Sequence, residues 1–253
     1  MTRIILSGCN GKMGQVITRL AEDAENVAVV AGIDINDCID NGYPVFKTPA
    51  ECDVEADVII DFSHPSVLSA ILDFAKQRKI PAVICTTGLD EEQKKMLKDT
   101  SEEVGIFFSA NMSIGINLLI ALAKKATAVL SENFDIEIVE QHHNRKLDAP
   151  SGTALAIADA ISEDMRAPAE YMYDRHSIRR KRNKNEIGIH AIRGGTIVGK
   201  HNVIFAGKDE IIEISHEASS REIFANGALN AAKFMNKKPQ GMYSMDDLIN
   251  SAV

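Results

Sequence analysis

The glycine-rich turn GCNGKMG, residues 8–14, most restricts how this chain can fold. It follows a short apolar run, RIILS, at residues 3–7. After the turn, apolar residues recur at helical spacing from Val16 to Ala21. The segment therefore predicts a buried strand, a tight turn without side chains and a helix that begins directly after it.

The same alternation continues over the next hundred residues. Apolar runs predict strands at 27–34, 56–63, 81–88 and 105–111, and helical patterns extend from Pro65 to Phe74 and near 90–103. Short strands that alternate with helices predict a parallel sheet covered on both faces, a Rossmann-like α/β domain. Ligands of such sheets bind outside the carboxyl ends of the strands, and the polar clusters of this region lie at those ends.

Gly8, Gly11 and Gly14 have a G-x-x-G-x-x-G spacing, and Asp34 follows Gly14 by twenty positions at the end of the second strand. A turn of this kind lets a pyrophosphate approach the backbone at a helix N-terminus, and the acid could accept from ribose hydroxyls. The alternative is a tight turn with an aspartate that only ends the strand. A dinucleotide is the favoured interpretation.

Asp34 also bears on the choice between the two nicotinamide dinucleotides. Its carboxylate would repel a 2′-phosphate, and the next residue is Ile35 rather than an arginine. This favours NADH over NADPH. Lys12 lies in the turn and leaves the use of both open.

A second kind of region begins at the apolar-periodic helix predicted over 113–130. The segment 135–141, DIEIVEQ, alternates apolar and acidic residues like a strand with one solvated face. The run 154–161 is helical again, so the sequence PSGT at 150–153 occupies a helix entry. Such an entry can bind a carboxylate or phosphate, and the alternative is that it holds only a helix cap.

His142, His143 and Lys146 precede that helix entry. Histidine transfers protons near neutral pH and lysine adds a positive charge and a second donor. Adjacent histidines at a strand end point to opposite sides, so one is expected to be catalytic and the other to contact substrate or support the loop. The alternatives are an exposed histidine pair and a metal site with Asp148, which the spacing disfavours.

The amino-acid composition limits the kinds of partner that the protein is expected to bind. The 253 residues carry a net charge of −8, which gives no attraction to nucleic acid or to an anionic membrane. Cys9, Cys38, Cys52 and Cys85 form no C-x-x-C pair, so reduced thiols are expected rather than disulfides or zinc. We expect a cytoplasmic protein with a small-molecule ligand, no membrane segment and no metal.

Several longer motifs carry a resemblance to a known family. They are GCNGKMG, DFSHP, TTG, SANMSIGIN, EQHHNRKLDAPSGTALA, IRGGTIVGKH and HEASSREIFANGAL, which together extend over most of the chain. In order and spacing they resemble the 4-hydroxy-tetrahydrodipicolinate reductase (dihydrodipicolinate reductase) family. The resemblance implies reduction of a cyclic imine dicarboxylate by NADH or NADPH, with loss of water, in the diaminopimelate route to lysine.

The resemblance also implies roles for individual residues. His142 aligns with the acid that protonates the reduced product and Lys146 with a second donor. His143, Gly152 and Thr153 align with positions that hold the substrate carboxylates. The positions implied for cofactor binding are Gly8, Cys9, Asn10, Gly11, Lys12, Met13, Asp34, Cys85, Thr86, Thr87, Ser109, Ala110, Asn111 and Met112.

For the domains, the resemblance implies a dinucleotide-binding part, 1–112 with 222–253, and an inserted α+β part, 113–221, that binds substrate. The sheet of the inserted part would build a homotetramer. Three features depart from the family pattern: Cys85 replaces a usual glycine, Lys12 a frequent arginine, and the run RRKRNK at 179–184 lacks neighbouring glycine and proline. This run could be a solvated loop or attract the dicarboxylate, and nucleic acid is disfavoured.

Two other functions would also use a dinucleotide turn. One is a different nicotinamide-dependent oxidoreductase, such as a homoserine or aspartate dehydrogenase, which would not need the DAPSGTA block after paired histidines. The other is a redox sensor or scaffold that binds the dinucleotide without turnover. Oxidation of reduced nicotinamide in the presence of the cyclic imine separates both from the reductase.

Overall fold

A computed structural model describes residues 1–251, which form two compact units. The first unit comprises Met1–Ile114 and the chain from Glu222 onward, and the second comprises Gly115–Arg221. Within residues 1–251, every helix is too short or too polar to span a lipid bilayer.

The first unit contains a sheet of seven strands, all of them parallel. The strands are β1 (Thr2–Ser7), β2 (Val27–Ile33), β3 (Val45–Phe46), β4 (Val58–Asp61), β5 (Ala82–Ile84), β6 (Gly105–Phe108) and β12 (Gly241–Tyr243). Their order is β12-β6-β5-β4-β1-β2-β3. The order reverses between β1 and β4, and this switch point is where open α/β sheets bind ligands. The expected Rossmann-like parallel sheet is confirmed.

Both faces of this sheet are buried, which explains why its strands are almost continuously apolar. On one face, Ile4 and Leu6 pack with Ala228 and Ala232 of a C-terminal helix. On the other face, Ile5 of the same strand packs in a second cluster. Burial of each such aliphatic side chain contributes about 1.5–3 kcal/mol. The helices of this unit are α1 (Lys12–Glu22), α2 (Leu68–Arg78), α3 (Glu91–Ser101), α6 (Glu222–Met235) and α7 (Met245–Asn250).

The helix expected from Pro65 to Phe74 has different bounds in the structure. It starts as a 3-10 turn, Pro65–Val67, continues as α2, and ends at Arg78. Lys79 then adopts a left-handed conformation with φ of 53°, and its amide bonds to carbonyls of the last turn. The helix therefore extends beyond the predicted end at Phe74, because a left-handed lysine carries no sequence signal for a helix end.

The second unit is a mixed five-stranded sheet with helices, the expected α+β arrangement. Its elements are α4 (Ile114–Leu130), β7 (Asp135–His142), α5 (Gly152–Glu163), β8 (Glu170–Met172), β9 (Glu186–Arg193), β10 (Gly199–Ala206) and β11 (Ile211–Ala218). The strand order is β11-β10-β7-β9-β8, with β7 parallel to β9 and antiparallel to β10. The core of the unit lies between this sheet and the apolar faces of α4 and α5.

Strand β7 alternates strictly between half-buried and buried residues. Its buried positions begin with Ile136 and Ile138, which belong to the core cluster. Two residues further on, Glu140 takes the next buried position, and His142 the one after it. The sheet therefore directs a carboxylate and an imidazole toward the same side as its core isoleucines.

The basic run at residues 179–184 pairs with acids of its own unit. Arg180 forms an ion pair with Glu186, whose side chain has no exposed surface. Arg182 bonds to Asp135 at 3.2 Å and to Glu137 at 3.1 Å. These two arginines therefore stabilise the start of β7 and β9.

The environment of Glu186 should make the free energy of unfolding depend on pH. Burial alone would raise the pKa of this carboxyl, but the Asn183 amide and the guanidinium groups of Arg180 and Arg175 outweigh it and lower the pKa to about 2. Because the pKa of Glu186 is lower in the folded state than the value of 4.5 in the unfolded state, the ionised carboxylate stabilises the protein at pH values above 4.5. This contribution is lost as the pH falls from 4.5 toward 2. Glu186→Gln should therefore be less stable than the wild type at neutral pH, and the difference should shrink between pH 4.5 and 2.

Urea unfolding of both proteins across this pH range measures the difference directly. Glu132→Gln is the matched control, since its ion pair with Arg166 is exposed and should contribute little. A difference for Glu186→Gln that does not change with pH would contradict the assignment.

Candidate active site

The glycine turn joins β1 to α1 at the switch point of the seven-stranded sheet. Gly8 has φ of 77°, and a Cβ there would lie 2.7 Å from the Phe62 carbonyl oxygen at the end of β4. A Cβ on Gly14 would lie 2.2 Å from the Gly8 carbonyl oxygen. Both positions therefore require glycine, because the backbone turns on itself and lies against the next strand.

Helix α1 begins at this turn without a side-chain cap. Its N-cap is Gly11, which has no side chain that could accept a hydrogen bond from the first turn. Lys12 is exposed on that turn and Met13 is half-buried. A helix N-terminus with uncapped amides and an adjacent lysine suits a phosphate group.

Asp34 contacts the turn directly. One oxygen of its carboxylate accepts from the Asn10 amide at 2.9 Å, and the other accepts from the Asn36 amide at 2.9 Å. The carboxylate is thus held at a fixed distance from the glycine turn. Each oxygen retains capacity for a second donor such as a ribose hydroxyl, so the turn and Asp34 fit a dinucleotide.

Four of the residues implied for cofactor binding, Cys9, Cys85, Thr86 and Met112, have buried side chains. Cys9, Cys85 and Met112 are at most 5% exposed and belong to the core. Burial and the neighbouring Asp34 raise the pKa of the Cys9 thiol to about 11, and burial raises the pKa of Cys85 well above its usual range. Both thiols are therefore neutral and unreactive, and only backbone atoms of these residues are available to a ligand.

Asp61, a residue that the sequence reasoning passed over, organises the carboxyl ends of β4 and β5. Its side chain has no exposed surface. It accepts from the Thr86 hydroxyl at 2.6 Å and from the Ser63 hydroxyl at 2.5 Å. Asp61 therefore fixes the backbone that carries Thr87, which is exposed beside it. The motif DFSHP contained the signal, a carboxylate at the end of an apolar strand.

The segment after β6 is a polar turn. The Ser109 hydroxyl donates to the Asn111 carbonyl at 2.9 Å, and the Asn111 side chain accepts from the Ser113 amide at 2.9 Å. Ala110 is exposed between them. Since β6 is parallel to β5, this turn lies at the same edge of the sheet as the segment Cys85–Thr87.

In the second unit, His142 occupies the last position of β7 and is 9% exposed. Its Nδ1 lies 2.6 Å from a carboxylate oxygen of Glu140. A Cβ on Gly199 would lie 3.2 Å from His142 Nε2, so this glycine leaves space beside that nitrogen. The ring of His201 lies edge to face with that of His142, with centroids 5.2 Å apart.

Glu140 is the second residue that the sequence reasoning missed. It has no exposed surface and accepts hydrogen bonds from His142, from Arg193 and from the Ser151 amide. Burial alone would raise its pKa, but these donors lower it overall, so the carboxylate is ionised. The signal was present: in DIEIVEQH, Glu140 falls in the register of the buried isoleucines.

Helix α5 starts beside this carboxylate. Its N-cap is Ser151, whose side chain accepts from the Ala154 amide at 3.1 Å. The same hydroxyl lies 3.1 Å from His201 Nε2. Burial lowers the pKa of His201 to about 4, with the nearby His142 adding to the effect, so His201 is neutral at pH 7. Gly152 and Thr153 follow as the first two residues of the helix.

The remaining predicted residues lie on the loop between β7 and α5. The Lys146 ammonium lies 2.8 Å from the Asp148 carboxylate, and the Lys146 amide bonds to the His143 carbonyl at 3.2 Å. His143 is half-buried, and burial together with the charge of Arg145 lowers its pKa. No group of three or more histidine, cysteine or acidic residues within positions 1–251 is arranged to hold a metal ion.

Comparison with known proteins places the chain in a family. The family model described as dihydrodipicolinate reductase, N-terminus, matches residues 2–112, and the one described as its C-terminus matches residues 115–249. The chain belongs to the dihydrodipicolinate reductase family. The resemblance drawn from the sequence motifs is thereby confirmed.

Individual relatives agree with the family models. The 4-hydroxy-tetrahydrodipicolinate reductase of Clostridium tetani is 51% identical over 253 residues, 99% of this chain and 98% of the relative. That of Caldanaerobacter subterraneus subsp. tengcongensis is 54% identical over 249 residues, 98% of each. The dipicolinate-bound dihydrodipicolinate reductase of Paenisporosarcina sp. TG-14 has a TM-score of 0.81 at 25% identity, covering 96% of this chain and 97% of that one.

The glycine turn yields a test of its geometry. Replacing glycine with alanine inside a helix normally stabilises the helix by about 1 kcal/mol. A Cβ at Gly14, however, would lie 2.2 Å from the Gly8 carbonyl oxygen. We expect Gly14→Ala to lower the free energy of unfolding by about 1–3 kcal/mol. Urea unfolding measures this, and a variant as stable as the wild type would contradict the close approach.

Proposed function

We propose that this protein is an NAD(P)H-dependent 4-hydroxy-tetrahydrodipicolinate reductase. It reduces 4-hydroxy-tetrahydrodipicolinate to 2,3,4,5-tetrahydrodipicolinate with loss of water, in the diaminopimelate route to lysine. The observation that carries the proposal is the identity of 51% over 253 residues to the Clostridium tetani reductase. The dipicolinate bound to the Paenisporosarcina enzyme is a ring dicarboxylate of the same kind as this substrate.

In this proposal, the segments 1–112 and 222–253 bind the dinucleotide and residues 113–221 bind the substrate. The cofactor, when bound, supplies a hydride. The glycine turn, with Gly8 to Met13, receives the pyrophosphate at the start of α1, and Asp34 accepts from the ribose. The backbones of Cys85 and Met112, with Thr86, Thr87, Ser109, Ala110 and Asn111, line the same sheet edge.

The substrate residues act through proton donation and anion binding. His142 donates the proton on Nε2 to the reduced product; the N–H electron pair stays on that nitrogen, and the imidazolium becomes neutral. Lys146 is the second donor, and its 2.8 Å contact with Asp148 holds its ammonium group near the loop. The backbone amides of Gly152 and Thr153, at the start of α5, donate hydrogen bonds to a substrate carboxylate.

His143 contributes to the same anion site. Its Nδ1 is buried and has no hydrogen-bond partner within residues 1–251, which suits a side chain that contacts a ligand. The ring is half-buried, so its other atoms can reach a bound molecule. We assign it to the second carboxylate of the substrate.

The assembly and location also belong to this proposal. We assign the protein to the cytoplasm and to a homotetramer built through the sheet of the second unit. Ile211 is 64% exposed and Ile212 is 38% exposed on β11, which is an edge strand of that sheet. Apolar side chains on an exposed edge strand favour association with another copy.

The proton donors are tested by substitution. We expect His142→Gln to lower kcat by about 10²-fold or more with a much smaller change in KM, because a transferable proton is lost while binding groups remain. Lys146→Ala should act in the same direction. The assay follows oxidation of the reduced nicotinamide, coupled to the enzyme that produces the substrate.

Two control variants match these changes. His190 of β9 lies 2.8 Å from the carboxylate of Glu137 on β7, and Lys95 pairs with Asp99 on α3, so each is a histidine or lysine beside a carboxylate outside the candidate site. His190→Gln and Lys95→Ala should retain wild-type kcat. Wild-type turnover in His142→Gln or Lys146→Ala would remove the role assigned to that residue.

The coenzyme preference gives a separate prediction. We expect kcat/KM with NADH to be at least equal to that with NADPH, because the fixed Asp34 carboxylate repels a 2′-phosphate. Asp34→Ala should lower kcat/KM for NADH by about tenfold and should affect NADPH less. Asp37→Ala, in the same loop and paired with Lys47, is the control and should change neither value. A strong wild-type preference for NADPH would overturn this assignment.

A further inference from the structure

Glu140 lies outside every set of residues assigned so far, although four nitrogen atoms of three residues donate to its carboxylate. His142 Nδ1 lies 2.6 Å from Oε2, and the Ser151 amide lies 3.0 Å from Oε1. The two terminal nitrogens of Arg193 complete the set, at 2.8 Å from Oε2 and 2.6 Å from Oε1. The carboxylate therefore connects β7, β9 and the start of α5.

Arg193 is the counter-charge that keeps this carboxylate ionised. Its guanidinium binds both oxygens, and the Arg193 side chain is itself only 19% exposed. The same guanidinium donates to the Asp148 carbonyl at 2.7 Å, on the loop that carries Lys146. A buried carboxylate with a two-point arginine contact and further donors is held in one orientation.

The ionised carboxylate determines where the protons of His142 lie. An ionised carboxylate only accepts hydrogen bonds, so His142 Nδ1 must carry a hydrogen. In the neutral ring, Nε2 is then the nitrogen without a proton, and in the charged ring Nε2–H is the proton available for transfer. This arrangement is the one that a buried acid imposes on a catalytic histidine in other enzymes.

The Ser151 contact extends the same control to the anion site. Ser151 is the N-cap of α5, so the bond from its amide to Glu140 fixes the start of that helix. Gly152 and Thr153 are the next two residues. One carboxylate thus sets both the orientation of the imidazole and the position of the backbone amides assigned to the substrate carboxylate.

We propose that Glu140, with Arg193 as its counter-charge, is a positioning residue that fixes the Nδ1–H form of His142 and holds the N-terminus of α5 beside that ring. The proposal rests on the proposed function only for the roles of His142, Gly152 and Thr153. Glu140 itself does not exchange a proton during the reaction.

The first experiment measures the imidazole directly and needs no substrate. Long-range proton–nitrogen NMR spectra of the ¹⁵N-histidine-labelled protein distinguish Nδ1–H from Nε2–H rings, and His142→Gln assigns the signal. At a pH where the ring is neutral, we expect the Nδ1–H form in the wild type. In Glu140→Gln the side-chain amide can donate to Nδ1, so the Nε2–H form should increase.

The second experiment measures the consequences. We expect Glu140→Gln to lower kcat by about 10²-fold and to weaken binding of dipicolinate, measured by calorimetry, by about tenfold. Glu186→Gln is the matched control, because Glu186 is equally buried and paired with two arginines at the opposite end of β9. It should lose stability yet retain kcat, dipicolinate affinity and the His142 signal.

Each outcome decides the proposal. A neutral wild-type His142 with the proton on Nε2 would overturn it, and so would equal losses of kcat in Glu140→Gln and Glu186→Gln. If Glu140→Gln does not fold because Arg193 is left unpaired, the double variant Glu140→Gln/Arg193→Gln takes its place. The double variant removes both charges and leaves neither of them uncompensated. A wild type without reductase activity whose His142 form still depends on Glu140 would refute the proposed function and support the positioning role.

Discussion

The ion pair between Glu140 and Arg193 is the interaction on which the candidate site depends. An ionised carboxylate with no exposed surface costs several kcal/mol of desolvation, and only a close counter-charge with further donors offsets it. Here the guanidinium and two other donors meet that need. Loss of either charge would leave the other buried and uncompensated, so the pair is more important for a defined geometry than for net stability.

The first unit uses a carboxylate in a related way but without a cation. Asp61 is as buried as Glu140, and it accepts hydrogen bonds from the hydroxyls of Ser63 and Thr86 and from the Ser63 amide. Asp34 is partly exposed and accepts from two backbone amides. In both units a carboxylate at or near a strand end ties that strand to the next loop, and that loop carries residues assigned to binding. The strands are rigid, and the hydrogen bonds of these carboxylates fix the loops relative to the strands.

The sequence predicted the elements that depend on local patterns. The glycine turn, the parallel strands and α5 each have a signal within ten or twenty residues, and the sheet places Asp34 against Asn10 of the glycine turn. The bounds of α2 were wrong, since the left-handed Lys79 that ends it has no such signal. The strand β12 also lacks a local sequence signal, because an edge strand of three residues is too short to show an alternation of apolar and polar residues.

The candidate site was predictable only in part for the same reason. His142, Lys146 and Gly152 lie within eleven positions, so their clustering is visible in the sequence. Arg193 is separated from Glu140 by 53 residues, and only the pairing of β9 with β7 brings them together. Such a contact has no local signature. Glu140 itself did have one, since it occupies a position of β7 where the alternation calls for an apolar residue.

The basic run at 179–184 is mostly exposed, as expected for a solvated loop, and two of its arginines also pair with acids on other segments. As a sequence it suggested a solvated loop or a local attraction for the dicarboxylate. In the structure, Arg180 pairs with Glu170 and Glu186, and Arg182 with Asp135 and Glu137. Opposite charges within a few ångströms cancel at distances beyond the Debye length, about 8 Å at physiological salt. Two of the five positive charges of the run therefore stabilise the contacts among β7, β8 and β9, and these two contribute little to the attraction of an anionic ligand.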